Sequence, residues 1–411
     1  MPEDGAEKKH LRPETFTVCV NFSIFARIAK NFLMIDSILL APYYWTLKTR
    51  HFLYDHGFRK IHVPELPTIS LGNLTVGGTG KTPHTEMILR TLLEDPGMKS
   101  RQIAVLSRGY GRKSKGFQQV PADGTARLYG DEPLQMKKKF PEITVAVDRS
   151  RIEGCQFLQH PENLQTSAKG KKCQHKDFPA ADLIILDDAF QYRALKADLS
   201  ILLINSFRPI YKDHLMPMGK LRDLPERIED ADIVIITKCD KYIDEWKKSK
   251  WAEALGLSAF DGGTCCGIRS NGKKQYLFFT AIDYCEPQPV FPEGDARFLY
   301  SKSLILFSGI ANDKLLYHHL TGTYKIQERF NFPDHHKFSK GDVRKIAAAS
   351  KASPTSVIMT TEKDCQRIRD SKIMTDELKR KMFYTPIKVN FTCANETEVF
   401  RTLLLRIISP K

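Results

Sequence analysis

Gly72–Asn73–Leu74–Thr75–Val76–Gly77–Gly78–Thr79–Gly80–Lys81–Thr82 is the stretch on which the reading of this chain turns. A short apolar run, Leu66 to Leu71, leads into it, and apolar residues at Met87, Ile88, Leu92 and Leu93 follow it. The order is therefore strand, glycine-rich turn, helix, which is the context of a phosphate-binding loop. Glycines let the backbone aim its N–H groups at an anion, Lys81 supplies a point charge for the β and γ phosphates, and the Thr82 hydroxyl is a ligand for Mg2+. Thr75 stands where the common G-x-x-x-x-G-K-[ST] pattern has its first glycine, and Gly77 and Gly78 compensate. A chance glycine-rich turn ending in Lys-Thr is the competing reading, and the flanking strand and helix weigh against it.

Working outward, short aliphatic runs with polar C-terminal ends recur at Ile103–Leu106, Thr144–Val147, Leu183–Leu186, Leu199–Ile204 and Ile233–Ile236. Such runs, separated by helix-like stretches, are expected of a buried parallel sheet. Ligands of such sheets bind beyond the C-terminal strand ends, where Ser107, Asp187, Asp188 and Lys238 fall. A second α/β unit is expected from Leu304–Phe307 through Val357–Thr360 to Ile387–Asn390. The fold class is α/β: a P-loop NTPase-type parallel sheet with helices on both faces, a second smaller α/β unit and an N-terminal interfacial helix. In segments, residues 1–33 read as a disordered extension, 34–62 as a membrane-associated amphipathic helix and 63–243 as the P-loop domain, with a polar surface insertion at 159–180. Residues 244–300, rich in charge, Gly and Pro, read as a connector, and 301–411 as a C-terminal α/β domain that contributes to the active site.

The 411 residues carry a net charge of +15, which favours anionic partners: nucleic acid, acidic lipid or a phosphorylated substrate. None of the nucleic-acid modules is recognisable, so no nucleic-acid partner is expected. Nine cysteines without a C-x-x-C pair suit free thiols in a reducing compartment better than a zinc site. Near the N-terminus the longest uncharged runs reach only about eleven or twelve residues, short of the ~20 that span a bilayer. Leu39, Tyr43 and Leu47 share a helical face with Leu40 and Tyr44, and Lys48, Arg50, Arg59 and Lys60 follow, a pattern for a helix lying on an anionic leaflet. The same face would equally cover the domain's own core. Met34 offers an alternative translation start.

Leu183–Ile184–Ile185–Leu186–Asp187–Asp188 has the form of a Walker B strand, presenting carboxylates to Mg2+ beside the loop. Gly130–Asp131–Glu132–Pro133 is a second acidic pair, which in isolation reads as an acidic helix start. Thr237–Lys238–Cys239–Asp240 approximates the guanine-reading N-K-x-D pattern with Thr for Asn, a weak match that keeps GTP use as a minority reading. Asp334–His335–His336 is not spaced as a metal triad and reads first as a surface turn, the competing reading being that Asp334 orients His335 for proton chemistry.

Taken together, NLTVGGTGKTP at 73–83, SRGYGRKSKG at 107–116, GDEP at 130–133, DDAFQYRAL at 187–195, PMGKLR at 217–222, FPDHH at 332–336 and TEKD at 361–364 resemble, in order, the signature blocks of the tetraacyldisaccharide 4'-kinase family. The resemblance spans about residues 34–390. It implies ATP- and Mg2+-dependent phosphorylation of the 4'-hydroxyl of an acylated disaccharide 1-phosphate, a lipid A precursor, by a peripheral protein at the cytoplasmic face of the inner membrane. It further implies that Thr75, Val76, Gly77, Gly78, Thr79, Gly80, Lys81 and Thr82 cradle ATP, and that Asp131 is the general base, tuned by His335. Thr82, Glu132, Asp187 and Asp188 would serve Mg2+, and Arg222, with Arg108 second to it, would neutralise phosphate charge. The chain departs from the family where D-D-G-F-Q-H reads Asp187–Asp188–Ala189–Phe190–Gln191–Tyr192 and where L-R-E-P reads Leu221–Arg222–Asp223–Leu224. The alternatives are a P-loop ATPase or GTPase switch with no lipid acceptor, supported by the TKCD stretch, and a membrane scaffold with a vestigial loop, opposed by intact Lys81, Thr82, Asp131 and Asp188.

Overall fold

The computed structural model of the chain describes residues 34–369 and 374–408, with side chains of 34–39 and Lys171 excepted. The expectations for 1–33 and for the Leu39 side chain lie outside the described residues.

Helix α1 (Met34–Asp55) leads into β1 (Thr68–Asn73), the phosphate loop and helix α2 (Lys81–Leu93). Strands β2 (Ile103–Ser107), β3 (Gln118–Gln119), β4 (Thr144–Val147), β5 (Leu183–Asp187), β6 (Leu199–Asn205) and β7 (Ile233–Thr237) follow, with helix α3 (Asp131–Lys139) between β3 and β4. Then come β8 (Ser258–Asp261), β9 (Cys266–Ile268) and β10 (Lys274–Tyr284). The strand order is β3-β4-β2-β5-β1-β6-β7-β10-β9-β8, and the run from β4 to β10 is parallel. Order reverses on either side of β1, so its C-terminal end opens a crevice and the phosphate loop lies in it. Every residue of β1, β2, β4, β5 and β7 is buried, which is why these strands read as unbroken aliphatic runs instead of alternating ones.

The smaller sheet has the order β11-β15-β14-β12-β13. Its strands are β11 (Gln288–Pro289), β12 (Ser303–Ser308), β13 (Lys325–Asn331), β14 (Val357–Thr361) and β15 (Met382–Thr385). Helix α4 (Glu362–Arg369) follows β14 directly. The chain then returns: β16 (Ile387–Phe391) pairs antiparallel with the second half of β10, and helix α5 (Ala394–Arg406) packs Phe400, Leu403 and Leu404 into the same core as Ile69, Leu89 and Phe278.

Two segment boundaries are thereby corrected. Residues 244–300 are not a connector, because β10 joins the large sheet through Tyr276–Phe279 and buries Leu277, Phe278 and Phe279. Turns on both sides, Asp261–Gly262–Gly263 and Glu286–Pro287, give this segment its linker-like composition. Residues 301–411 are not one unit either, since Ile387–Arg406 belongs to the large sheet. Pro386, which lacks an N–H, separates β15 from β16 where the chain changes sheets. The 159–180 insertion is not wholly superficial, because Leu164 and Cys173 are buried against Phe117, Phe157 and Leu158.

The helix α1 face picked out by periodicity is also turned inward. Leu40 and Leu47 are buried against Leu74, Phe190, Leu215 and Leu221, with Tyr43 and Tyr44 packed beside them. Different apolar side chains face out: Trp45 (65% exposed), Phe52 (51%) and, just beyond the helix, Phe58 (71%). No helix among the described residues is long and apolar enough to cross a membrane.

Candidate active site

The phosphate loop is shaped by left-handed backbone at Gly77 (φ 74°), Gly78 (φ 64°) and Gly80 (φ 85°), which only glycine adopts without strain. Close packing demands Gly72 for another reason: a Cβ there would lie 2.6 Å from that of Phe190. The loop is tied down on three sides. Asn73 Nδ2 donates to Thr79 Oγ1 (2.7 Å), Val76 N donates to the carbonyl of Lys220 (2.8 Å), and the His84 ring spans from Gly80 to β10. His84 Nδ1 lies 2.7 Å from the Gly80 carbonyl and Nε2 lies 2.9 Å from Thr280 Oγ1. A carbonyl only accepts, so Nδ1 carries the proton and Nε2 accepts from the threonine. Complete burial, with the Lys238 charge adding to it against the Gly80 bond, pushes the imidazole pKa down to about 4 and keeps the ring neutral.

Beyond β5 the two aspartates diverge. Asp188, at φ 48°, is ion-paired with Arg222 and lies 3.9 Å from Lys81 Nζ. Burial works against its ionisation, but the Lys81 and Arg222 charges prevail and hold its carboxyl below the usual range. Arg222 also donates to Asn73 Oδ1 (2.6 Å), which fastens it to the start of the phosphate loop. Asp187 is buried with the Thr85 hydroxyl 3.4 Å away. Burial, followed by the charges of Glu132 and Asp188, pushes it up to about 6. A buried carboxylate raised by two neighbouring carboxylates is a place where a cation is favoured. Oxygen donors from Thr82 and Asp187 fit Mg2+, which takes one or two carboxylates and leaves its other positions to phosphates and water. That need is smaller than a cage, and no group of three or more His, Cys, Asp or Glu among the described residues is arranged to hold a metal unaided. Glu132 and Asp188, expected beside them as ligands, each hold a cationic side chain instead: Lys363 at 2.8 Å and Arg222.

Asp131 begins α3, and the second unit meets it there. Arg367 of α4 donates to Asp131 Oδ2 from Nε (2.9 Å) and from Nη2. His335 Nδ1 is 3.5 Å from the same oxygen, longer than a firm hydrogen bond, so Arg367 is the nearer partner of Asp131. The His335 ring, at φ 59°, is flanked by Arg367 Nη2 (3.2 Å) and Lys363 Nζ (3.3 Å). Burial raises the Asp131 pKa, but the His335 contact and the Arg367 and Lys363 charges outweigh it and hold the carboxyl far below the ordinary range. Lys139, also on α3, bridges Glu86 of α2 (2.8 Å) and Glu362 of α4 (2.7 Å), so both sheets are fastened at this junction.

Between the sheets lies a cavity of ≈ 220 Å3, bounded by Gly78–Thr82 on one side and by Ile310, Ala311 and Leu315 of the second unit on the other. Glu132, Asp334 and Lys363 line it as well. Lys238 of the TKCD stretch reaches this cavity, but Asp240 is exposed and outside its lining, so the guanine-reading pattern is not assembled. Arg108 is exposed.

Several residues escaped the sequence reading. Lys363 and Arg367 lie one helical turn apart on α4, and the TEKD block was the only signal for either. Arg151 is buried with Nη2 3.0 Å from the Asp187 carbonyl, bracing the Walker B strand end, and His84 had no sequence signal beyond adjacency to the loop. The departures from the family pattern are tolerated for visible reasons. Ala189, in the place of a glycine, lies outside the left-handed region, and Tyr192 packs against the cluster formed by Phe117, Leu186 and Leu195.

A parallel sheet with a glycine-rich loop at its switch point, a strand-end aspartate pair and an acid at a facing helix start define a P-loop phosphotransferase class. The family model for tetraacyldisaccharide-1-P 4'-kinase matches residues 33–409. The tetraacyldisaccharide 4'-kinase of Phocaeicola vulgatus is 36% identical over 373 residues, covering 88% of this chain and 93% of that protein. That of Flavobacterium johnsoniae is 37% identical over 361 residues, covering 87% and 92%. A crystal structure of LpxK from Aquifex aeolicus in complex with ATP superposes with a TM-score of 0.61 at 26% identity, covering 90% of this chain and 98% of that one. This chain belongs to the tetraacyldisaccharide-1-P 4'-kinase family.

Proposed function

We propose that this chain transfers the γ-phosphate of ATP to the 4'-hydroxyl of a tetraacyldisaccharide 1-phosphate. The observation that carries the proposal is one cavity onto which the phosphate loop, Glu132 and the second unit's Lys363 all open, with Asp131 next to Glu132 at the start of α3. The loop N–H groups and Lys81 bind the phosphates of ATP. Thr82 and Asp187 would hold Mg2+, with Glu132 and Asp188 close by. When bound, the ion offsets the negative charge that develops between the β and γ phosphates. Arg222, fixed by Asp188 and Asn73, presents a guanidinium to the same charge.

Asp131 receives the proton of the sugar hydroxyl. Its carboxylate is fully ionised, and phosphoryl transfer through a loose transition state asks more of positioning than of basicity. An acceptor hydroxyl at Asp131 replaces part of the Arg367 contact, and His335 lies beside the same carboxylate oxygen. The protein acts as a peripheral enzyme at the cytoplasmic face of the inner membrane. Exposed Trp45, Phe52 and Phe58 beside Lys48, Arg59 and Lys60 support docking on an anionic leaflet.

The test is transfer of labelled γ-phosphate from ATP to tetraacyldisaccharide 1-phosphate in detergent micelles. Wild type is expected to give Mg2+-dependent lipid product and Lys81→Ala none above background. Nucleotide hydrolysis without lipid product would place the chain among P-loop switches.

A further inference from the structure

Helix α1 does more than cover the core. Its inward face carries polar side chains that reach both loops on which Asp188 and Arg222 are mounted. On the 188–195 loop, Arg50 donates to the Gln191 carbonyl (2.7 Å), and Asp55 is ion-paired with Arg193. On the 219–224 loop, Tyr43 Oη donates to the Arg222 carbonyl itself (2.9 Å). His51 belongs to both sets. Its Nδ1 is 3.1 Å from Arg193 Nη1 and its Nε2 is 2.6 Å from Asp223 Oδ1. Arginine only donates, so Nδ1 is the acceptor and Nε2–H donates to Asp223.

The pair is sealed from solvent: His51 is 6% exposed and Asp223 is 0% exposed. Asp223 Oδ1 also accepts from Leu224 N (2.9 Å), while Oδ2 is buried with Arg227 Nε 3.8 Å away and no hydrogen bond of its own. His51 is therefore the shortest polar contact of this carboxylate, and losing it would leave a buried charge poorly compensated. Asp223 adjoins Arg222, whose backbone is held between Tyr43 and the Leu74 carbonyl (2.8 Å) and whose guanidinium forks to Asp188 and Asn73. The 188–195 loop also reaches the start of the phosphate loop, where Gln191 donates to the Asn73 carbonyl.

We infer that His51 is a positioning residue for the kinase: through Asp223 and Arg193 it registers the two loops so that Arg222 and Asp188 meet beside Lys81, and seating of α1 is thereby read at the phosphate site. The inference rests on the role given above to Arg222.

A double-mutant cycle with Mg·ATP and tetraacyldisaccharide 1-phosphate in mixed micelles tests it. His51→Leu is expected to lower kcat by roughly 10- to 100-fold, the scale of a misplaced catalytic group, with KM for ATP changed by less than about twofold. His51→Gln, which retains an N–H able to reach Asp223, is expected to recover most of that loss. In an Arg222→Ala background, His51→Leu is expected to cost less than about twofold more, since its effect runs through the arginine. Equal losses in both backgrounds would overturn the inference while leaving the role of Arg222 intact. An Arg222→Ala enzyme with wild-type turnover would overturn that role and the inference together. Should His51→Leu fail to fold, His51→Asn, which keeps an acceptor for Arg193 but falls short of Asp223, runs the same cycle with the same criteria.

Discussion

At the residue scale, His84 shows how a side chain outside the chemistry shapes the loop that performs it. Its two ring nitrogens join Gly80 to Thr280, and burial keeps the ring neutral in that link. An ordinary imidazole in the unfolded chain titrates near 6.5, whereas in the fold it titrates near about 4. Between those values the unfolded chain binds more protons, so the stabilisation is fully present above pH 6.5 and is lost as pH falls. Relative to His84→Gln, wild type is expected to lose about 2 kcal/mol of stability between pH 7 and pH 5, read from urea unfolding at each pH. A difference that stays constant over that range would contradict the neutral, bridging His84. None of this was legible in the sequence. Lys81 and Thr82 announced themselves because their spacing from glycines is set by phosphate geometry. His84, Arg151 and Arg367 act through partners up to hundreds of positions away, and no local pattern records such contacts.

Among elements, the hydrophobic period was the most readable signal and β10 the least. The aliphatic strands β2, β4, β5, β6 and β7 stood out because both faces of a parallel strand are buried. Strand β10 was hidden between Gly- and Pro-rich turns, and β16 with α5 was assigned to the nearer sheet because sequence proximity does not reveal a chain that changes sheets. The energetic consequence lies in Phe400, fully buried with ring centroids 5.4 Å from Phe278 and 4.9 Å from Phe391. Phe400→Ala is expected to cost about 3–5 kcal/mol and to lower the denaturation midpoint of ATP binding along with that of the fold. ATP binding that persists at the wild-type midpoint while the smaller unit melts early would show that α5 stabilises only the C-terminal part. The amphipathic pattern of α1 was read correctly as a pattern, yet periodicity cannot say whether an apolar face meets lipid or protein. Here Leu40 and Leu47 meet protein, and Trp45 and Phe52 are left outside.

Seen as a whole molecule, the two sheets divide the labour of one site. The large sheet brings the phosphate loop, the Asp187–Asp188 strand end and Asp131, and the small one brings Lys363, Arg367 and His335. Lys139 and the Asp131–Arg367 pair fasten the halves to each other. The family resemblance was legible because its blocks are the segments that converge here, although the Arg367 contact that dominates Asp131 lies just outside the block that marks it. The central claim is that Asp131, held by the second unit, takes the proton of the lipid's hydroxyl. Its most direct test is single-turnover transfer from Mg·ATP to tetraacyldisaccharide 1-phosphate by Asp131→Asn, an isosteric change that removes the base. Transfer is expected to slow by about 10²- to 10⁴-fold with ATP affinity nearly unchanged, whereas transfer within a few-fold of wild type would contradict the assignment of Asp131 as the base.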